Sequence, residues 1–173
     1  MPKTTVAGHP AHPQLVSFPL ALFPFTLALD VLHLATGDRR FEEAARLSLT
    51  GAIAGAAAAG VAGSLDYLEI PEEHETKPMA RLHGGLNLGL VGLALVNLMS
   101  RRNRRRRGDS LPALLSGIAT VGLFVSAWFG GHLVYAHGLR VEGMSPLDDA
   151  DEVALPRDDA LAHGLASLAG HRH

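Results

Sequence analysis

His83 and His132 each stand inside an otherwise apolar stretch, a few residues from its end. Imidazole at such a position is a ligand or a titrating group in a setting that disfavours charge, and intramembrane ionisable side chains are functional sites by default. His9, His12, Asp66, His74 and His137 are the further groups of this kind, with Tyr67 beside Asp66. Two imidazoles at matched depth on separate helices can hold a b-type haem through both axial positions. The neighbours suit that chemistry: Gly84 and Gly85 follow His83, and Gly130 and Gly131 precede His132, which leaves room for a flat macrocycle. Asn87 lies one turn from His83 and Trp128 one turn from His132, each able to share the ligand's face. Lys77, Arg81 and Arg140 can pair with propionates. His137 is about 140° around the helix from His132, so the two are not equivalent ligands.

The same residues allow a bare metal. His12, His83 and His132 or His137, with Asp66, have the ligand types for zinc or copper. No HExxH and no local pair at i, i+4 supports this, so the site would have to be assembled from separate helices. A purely structural reading needs no cofactor, with Asp66 and His83 forming an interhelical polar pair. There is no cysteine, which excludes disulfides, thiolate-held zinc or iron–sulfur clusters, and covalently attached c-type haem within the chain.

The elements that must position these groups are membrane spans. At 47% hydrophobic and 18% charged residues, the chain carries more apolar surface than one soluble core hides. Four apolar runs, about 14–36, 44–65, 79–99 and 111–136, are each long enough at roughly 1.5 Å per residue for a hydrocarbon core of about 30 Å. They lack the polar alternation of barrel strands. The expected fold is all-α, an integral membrane four-helix bundle. The segment 1–13 precedes it, the four-helix domain occupies 14–136, and an acidic tail follows over 137–173. The first run is too long for the apolar core of a signal peptide, so no cleaved leader is expected.

Charge gives the orientation. Six arginines fall between Arg101 and Arg107, and Arg39, Arg40 and Arg46 flank the first connection, so both connections belong in the cytoplasm. Both termini then lie outside, together with the acidic second connection (Asp66, Glu69, Glu72, Glu73, Glu75 against Lys77) and the acidic tail. The arginine run has no interleaved aromatics, so no nucleic-acid partner is expected. On this assignment seven ligand or titrating groups gather at the outer face, with His83 and His132 roughly 6 Å below it, able to face each other.

Gly51, Gly55, Ala59 and Gly63 repeat at four-residue spacing in the second helix, as do Gly85 and Gly89 in the third, which predicts close contact of these two helices. Pro19 and Pro24 are expected to bend the first. Asp30 and His33 share a face near its cytoplasmic end, a carboxylate–histidine pair read as structural rather than as a proton relay. Without a second acidic residue or histidine at matching depth, no continuous proton path and no second haem is expected. In the tail, Pro146 and Pro156 favour extended chain, although Asp158 to Ala169 can form a short helix carrying Leu161, Leu165 and Leu168. His163, His171 and His173 have no expected role.

Gly8-His9-Pro10-Ala11-His12-Pro13 precedes a first span with Pro19 and Asp30, and Gly63-Ser64-Leu65-Asp66-Tyr67 closes the second. His83 and Asn87 follow in the third span, and Trp128-Phe129-Gly130-Gly131-His132-Leu133-Val134-Tyr135 with His137-Gly138 closes the fourth. In these motifs and their order the chain resembles the bacterial four-span membrane family known as domain of unknown function 2231. The resemblance covers about 8–141. It implies a multi-pass protein of the bacterial inner membrane, similar in architecture to membrane b-type cytochromes, in a family where some members are joined to Rieske or c-type cytochrome modules. No such module is fused here, so an extracytoplasmic redox partner is implied. The expectation is a haem b electron carrier using His83 and His132, rather than a stand-alone enzyme. The alternatives are a cofactor-free subunit of a membrane complex and a copper or zinc site.

Overall fold

A computed structural model describes residues 5–6, 9–101 and 109–135. The described chain forms four helices, α1 (Ala11–Thr36), α2 (Arg39–Leu68), α3 (Lys77–Ser100) and α4 (Leu111–Tyr135), preceded by a minimal antiparallel pair of β1 (Thr5–Val6) with β2 (His9–Pro10). All four helices are long and apolar enough to cross a bilayer. Their outer surfaces expose Phe18, Leu47, Val61, Leu88, Val121 and Phe124. In water these would be a liability; against lipid tails they are the natural boundary.

The helices extend beyond the apolar runs because capping groups, not hydropathy, end them. Gly37 adopts φ +70° and donates its N–H to His33 O at 2.8 Å, closing α1. Asp38 then caps α2, its side chain accepting the Arg40 N–H at 2.9 Å. This draws the polar residues Arg39 to Glu43 into the helix. Pro78 sits in the first turn of α3, where its missing N–H has no intrahelical partner to lose. At the start of α4, Asp109 Oδ1 accepts the Leu111 N–H at 3.0 Å.

Each helix packs on its sequence neighbours, and α1 closes the ring on α4. The pairings run antiparallel. Along α1 and α2, His12 meets Gly63, Phe18 meets Gly55, and Leu22 meets Gly51. Along α3 and α4, His83 meets Gly130, Leu90 meets Gly122, and Asn97 meets Ser116. One end of the bundle thus carries His12, Asp66, His83 and His132, and the other carries Asp30, Arg39, Arg40 and Arg101. Between them lies an apolar core of Phe23, Leu49, Ala52, Ala94, Ala119 and Leu123.

The glycine stripes do not meet each other as the spacing suggests. A methyl on Gly55 would lie 2.6 Å from Phe18 Cβ and one on Gly51 3.2 Å from Leu22 Cδ1, so the α2 stripe is the seat of α1. Gly85 and Gly89 have no neighbouring atom within 4 Å of such a methyl. Four-residue spacing defines a face but does not say which helix covers it. The two prolines are accommodated within one continuous α1, where Pro19 is buried beside Gly55.

Candidate functional site

Because α1 begins at Ala11, His12 occupies its first turn instead of the segment before it. Its ring lies over Gly63 of α2, where a methyl would come within 2.8 Å of Nδ1, and Nδ1 is 2.8 Å from Ala59 O. A carbonyl only accepts, so Nδ1 carries the proton and Nε2 the lone pair. His83 is held in the same manner by α4. Its Nδ1 lies 3.0 Å from Ser126 O and 3.2 Å from Ser126 Oγ, and its Cε1 comes within 2.9 Å of where a Gly130 methyl would stand. On the other edge of the ring, Asn87 Nδ2 lies 3.1 Å from His83 Nε2 and donates to His83 O at 2.9 Å. The two rings approach with centroids 6.3 Å apart and planes at 88°. All four helices therefore build this point: α1 and α3 bring the imidazoles, while α2 and α4 supply the glycine and the orienting oxygen for each.

The histidine paired with His83 is thus His12, not His132. Ser126 and Gly130 define the inward face of α4, and His132 lies on its outward face, stacked on Trp128 at 5.6 Å and 18°. Trp128 is 64% exposed. Asp66 is buried near the end of α2. His74 bonds Thr76 Oγ1 at 2.9 Å in the α2–α3 connection. Arg140 and His137 lie outside the described residues. Among the described residues, no three His, Asp or Glu side chains come together as a metal-holding group.

The cations expected near a cofactor are engaged elsewhere. Buried Lys77 donates to Ile70 O at 2.6 Å and Tyr67 O at 3.2 Å, lies 3.3 Å from Glu72 Oε1, and stands 3.9 Å over the Tyr67 ring. It satisfies carbonyls left over at the C-terminal end of α2. Arg81 donates from Nε to Tyr67 Oη at 2.8 Å and pairs with Glu72.

At the opposite end, Asp30 pairs with Arg101 and not with His33. Arg101 donates from Nη1 and Nη2 to the two Asp30 oxygens, both at 2.7 Å, and from Nε to Asn97 Oδ1 at 3.1 Å. Ser116 of α4 donates to Asp30 Oδ2 at 2.6 Å and accepts from Asn97 Nδ2 at 2.9 Å. His33 instead reaches Asp38 O at 2.9 Å. Sequence reasoning missed this pair by counting Arg101 with the solvent-facing run. The available signal was depth: Arg101 directly follows α3, level with a carboxylate near the end of α1.

A family model described as a predicted membrane protein (DUF2231) matches residues 8–143. No curated protein matches the chain, and no solved structure does.

Proposed function

The chain belongs to the DUF2231 family of predicted membrane proteins, and from that premise we propose that it is a haem b electron carrier in which His12 and His83 would hold the haem. The observation carrying this reading is the 6.3 Å approach of two imidazoles whose Nδ1 atoms both face backbone carbonyls. That arrangement fixes the tautomer and presents Nε2 as the ligand atom. The centroid spacing is short enough that one bound group could be held by both imidazoles.

Two ligands favour haem over a bare ion. Zinc in a structural site takes four protein ligands and in a catalytic site three, whereas haem brings its own four nitrogens and asks two of the protein. Haem held here supplies one-electron transfer. The chain's own part is to orient two imidazoles, through Ala59 and Ser126, at one end of the bundle. With the arginines of the first and third connections in the cytoplasm, that end faces outward in a bacterial inner membrane, toward an extracytoplasmic redox partner.

One observation favours a second reading, a cofactor-free subunit of a membrane complex: both ring nitrogens of His83 already have protein partners in Ser126 and Asn87. The test is the absorption spectrum of detergent-purified protein made with ample haem, oxidised and then dithionite-reduced, with iron analysis. A sharp Soret band, resolved reduced bands and about one iron per chain are expected. His12→Ala and His83→Ala should lose them and His132→Ala keep them. Colourless protein that co-purifies with a complex would overturn the carrier in favour of the subunit.

A further inference from the structure

Asn87 is the group in direct contact with the ring nitrogen that ligation would use. Its orientation is fixed by chemistry, since the nitrogen of its amide lies 2.9 Å from His83 O and a backbone carbonyl only accepts. The same Nδ2 lies 3.1 Å from His83 Nε2. An NH2 group facing Nε2 requires a bare lone pair there. On the far edge Nδ1 faces Ser126 O at 3.0 Å, which requires a proton there. The two contacts specify one neutral tautomer from opposite sides. His12 makes its hydrogen bond among the described residues at Nδ1, to Ala59 O.

We propose that Asn87 is a positioning residue that caps His83 Nε2, holding the ring in its ligand-ready tautomer and yielding the nitrogen only when its amide swings away. The inference rests on the haem reading for what displaces the amide, but the cap is a property of the apo chain. The half-buried Asn87 side chain has somewhere to go: Gly84 lies one turn before it on the helix, and a methyl added there would have no neighbour within 4 Å. Among the described residues no side chain stands against His12 Nε2 as Asn87 stands against His83 Nε2.

The test uses the full chain in detergent micelles with 15N-histidine labelling, together with titration by hemin. In haem-free wild type, His83 should show a protonated Nδ1 and a hydrogen-bonded, unprotonated Nε2. In Asn87→Ala the Nε2 resonance should move to the position of an unbonded lone-pair nitrogen while Nδ1 stays. Hemin should bind Asn87→Ala about three- to tenfold more tightly, the weight of one such competing hydrogen bond. Asn87→Asp replaces the donor with an acceptor and draws the proton onto Nε2, so uptake should fall about tenfold or more. Identical His83 nitrogen signals in wild type and Asn87→Ala would overturn the cap, as would hemin affinity unchanged by Asn87→Ala. Wild type that takes up no hemin but shows the expected nitrogen signals would remove the haem function and leave the cap standing.

Discussion

Arg101 grips both carboxylate oxygens of Asp30 at 2.7 Å, 71 positions apart in sequence, with side chains only 2% and 5% exposed. A buried pair of this kind is not cheap to form, but breaking it is worse, because one charge is left without its partner. Asp30→Asn and Arg101→Gln should each lower stability by about 3–5 kcal/mol. The double variant should lose less than the sum. Thermal unfolding in a fixed detergent checks this, and equal additivity would mean the two side chains do not interact.

The glycines of α2 and α3 make opposite predictions under one substitution. Gly55→Ala forces a methyl against Phe18 Cβ, an atom fixed to its backbone, and should destabilise by about 1–3 kcal/mol. Gly89→Ala meets nothing and improves helix propensity, so it should be neutral or stabilising by up to about 1 kcal/mol. Melting temperatures of the two variants in the same detergent must move in different directions or by clearly different amounts.

The α2–α3 connection is tied to the bundle through buried Lys77. Lys77→Met retains most of the apolar stem and removes two charge-assisted bonds to Tyr67 O and Ile70 O, an expected loss of about 1.5–3 kcal/mol. Arg81→Gln, at a side chain 59% exposed, should lose under about 1 kcal/mol. Hydrogen exchange at residues 68–77 reads the difference directly: faster exchange in Lys77→Met and near-wild-type exchange in Arg81→Gln.

Gly63 and Gly130 are predicted to matter through the histidines they seat. An alanine methyl at either position would press within 3 Å of a ring, 2.8 Å from His12 Nδ1 or 2.9 Å from His83 Cε1. Both substitutions should displace the ring from its carbonyl and, under the proposed function, shift or abolish the haem spectrum. Gly92→Ala, with open space around it and more than two turns from His83, should leave the spectrum in place.

The four spans were legible because hydrophobic length is a property of sequence alone, and their ends were displaced where caps act. Asp38 and Gly37 set the α1–α2 corner by hydrogen bonding, which carried α2 from the expected start near Ala44 back to Arg39. Helical spacing carried the adjacency of Asn87 to His83, and the charge pattern carried the end of the bundle where the histidines gather. The partner of His83 was not legible. Starting α1 three residues earlier than its apolar run made His12 a helical residue, and helix rotation turned His132 outward to Trp128. Rotation about a helix axis in lipid is set by contacts with neighbours, and an almost uniformly apolar helix carries little record of it.

The apolar layer of Phe23, Leu49, Ala52, Ala94, Ala119 and Leu123 has an electrical consequence. It stands between the histidine end and the Asp30–Arg101 end like the dielectric of a capacitor. A membrane voltage drops most steeply across such a dry layer, and each elementary charge carried through it changes energy by about 2.3 kcal/mol per 100 mV. Under the proposed carrier function, charge arriving at His12 and His83 from one side of the membrane would stay referenced to that side.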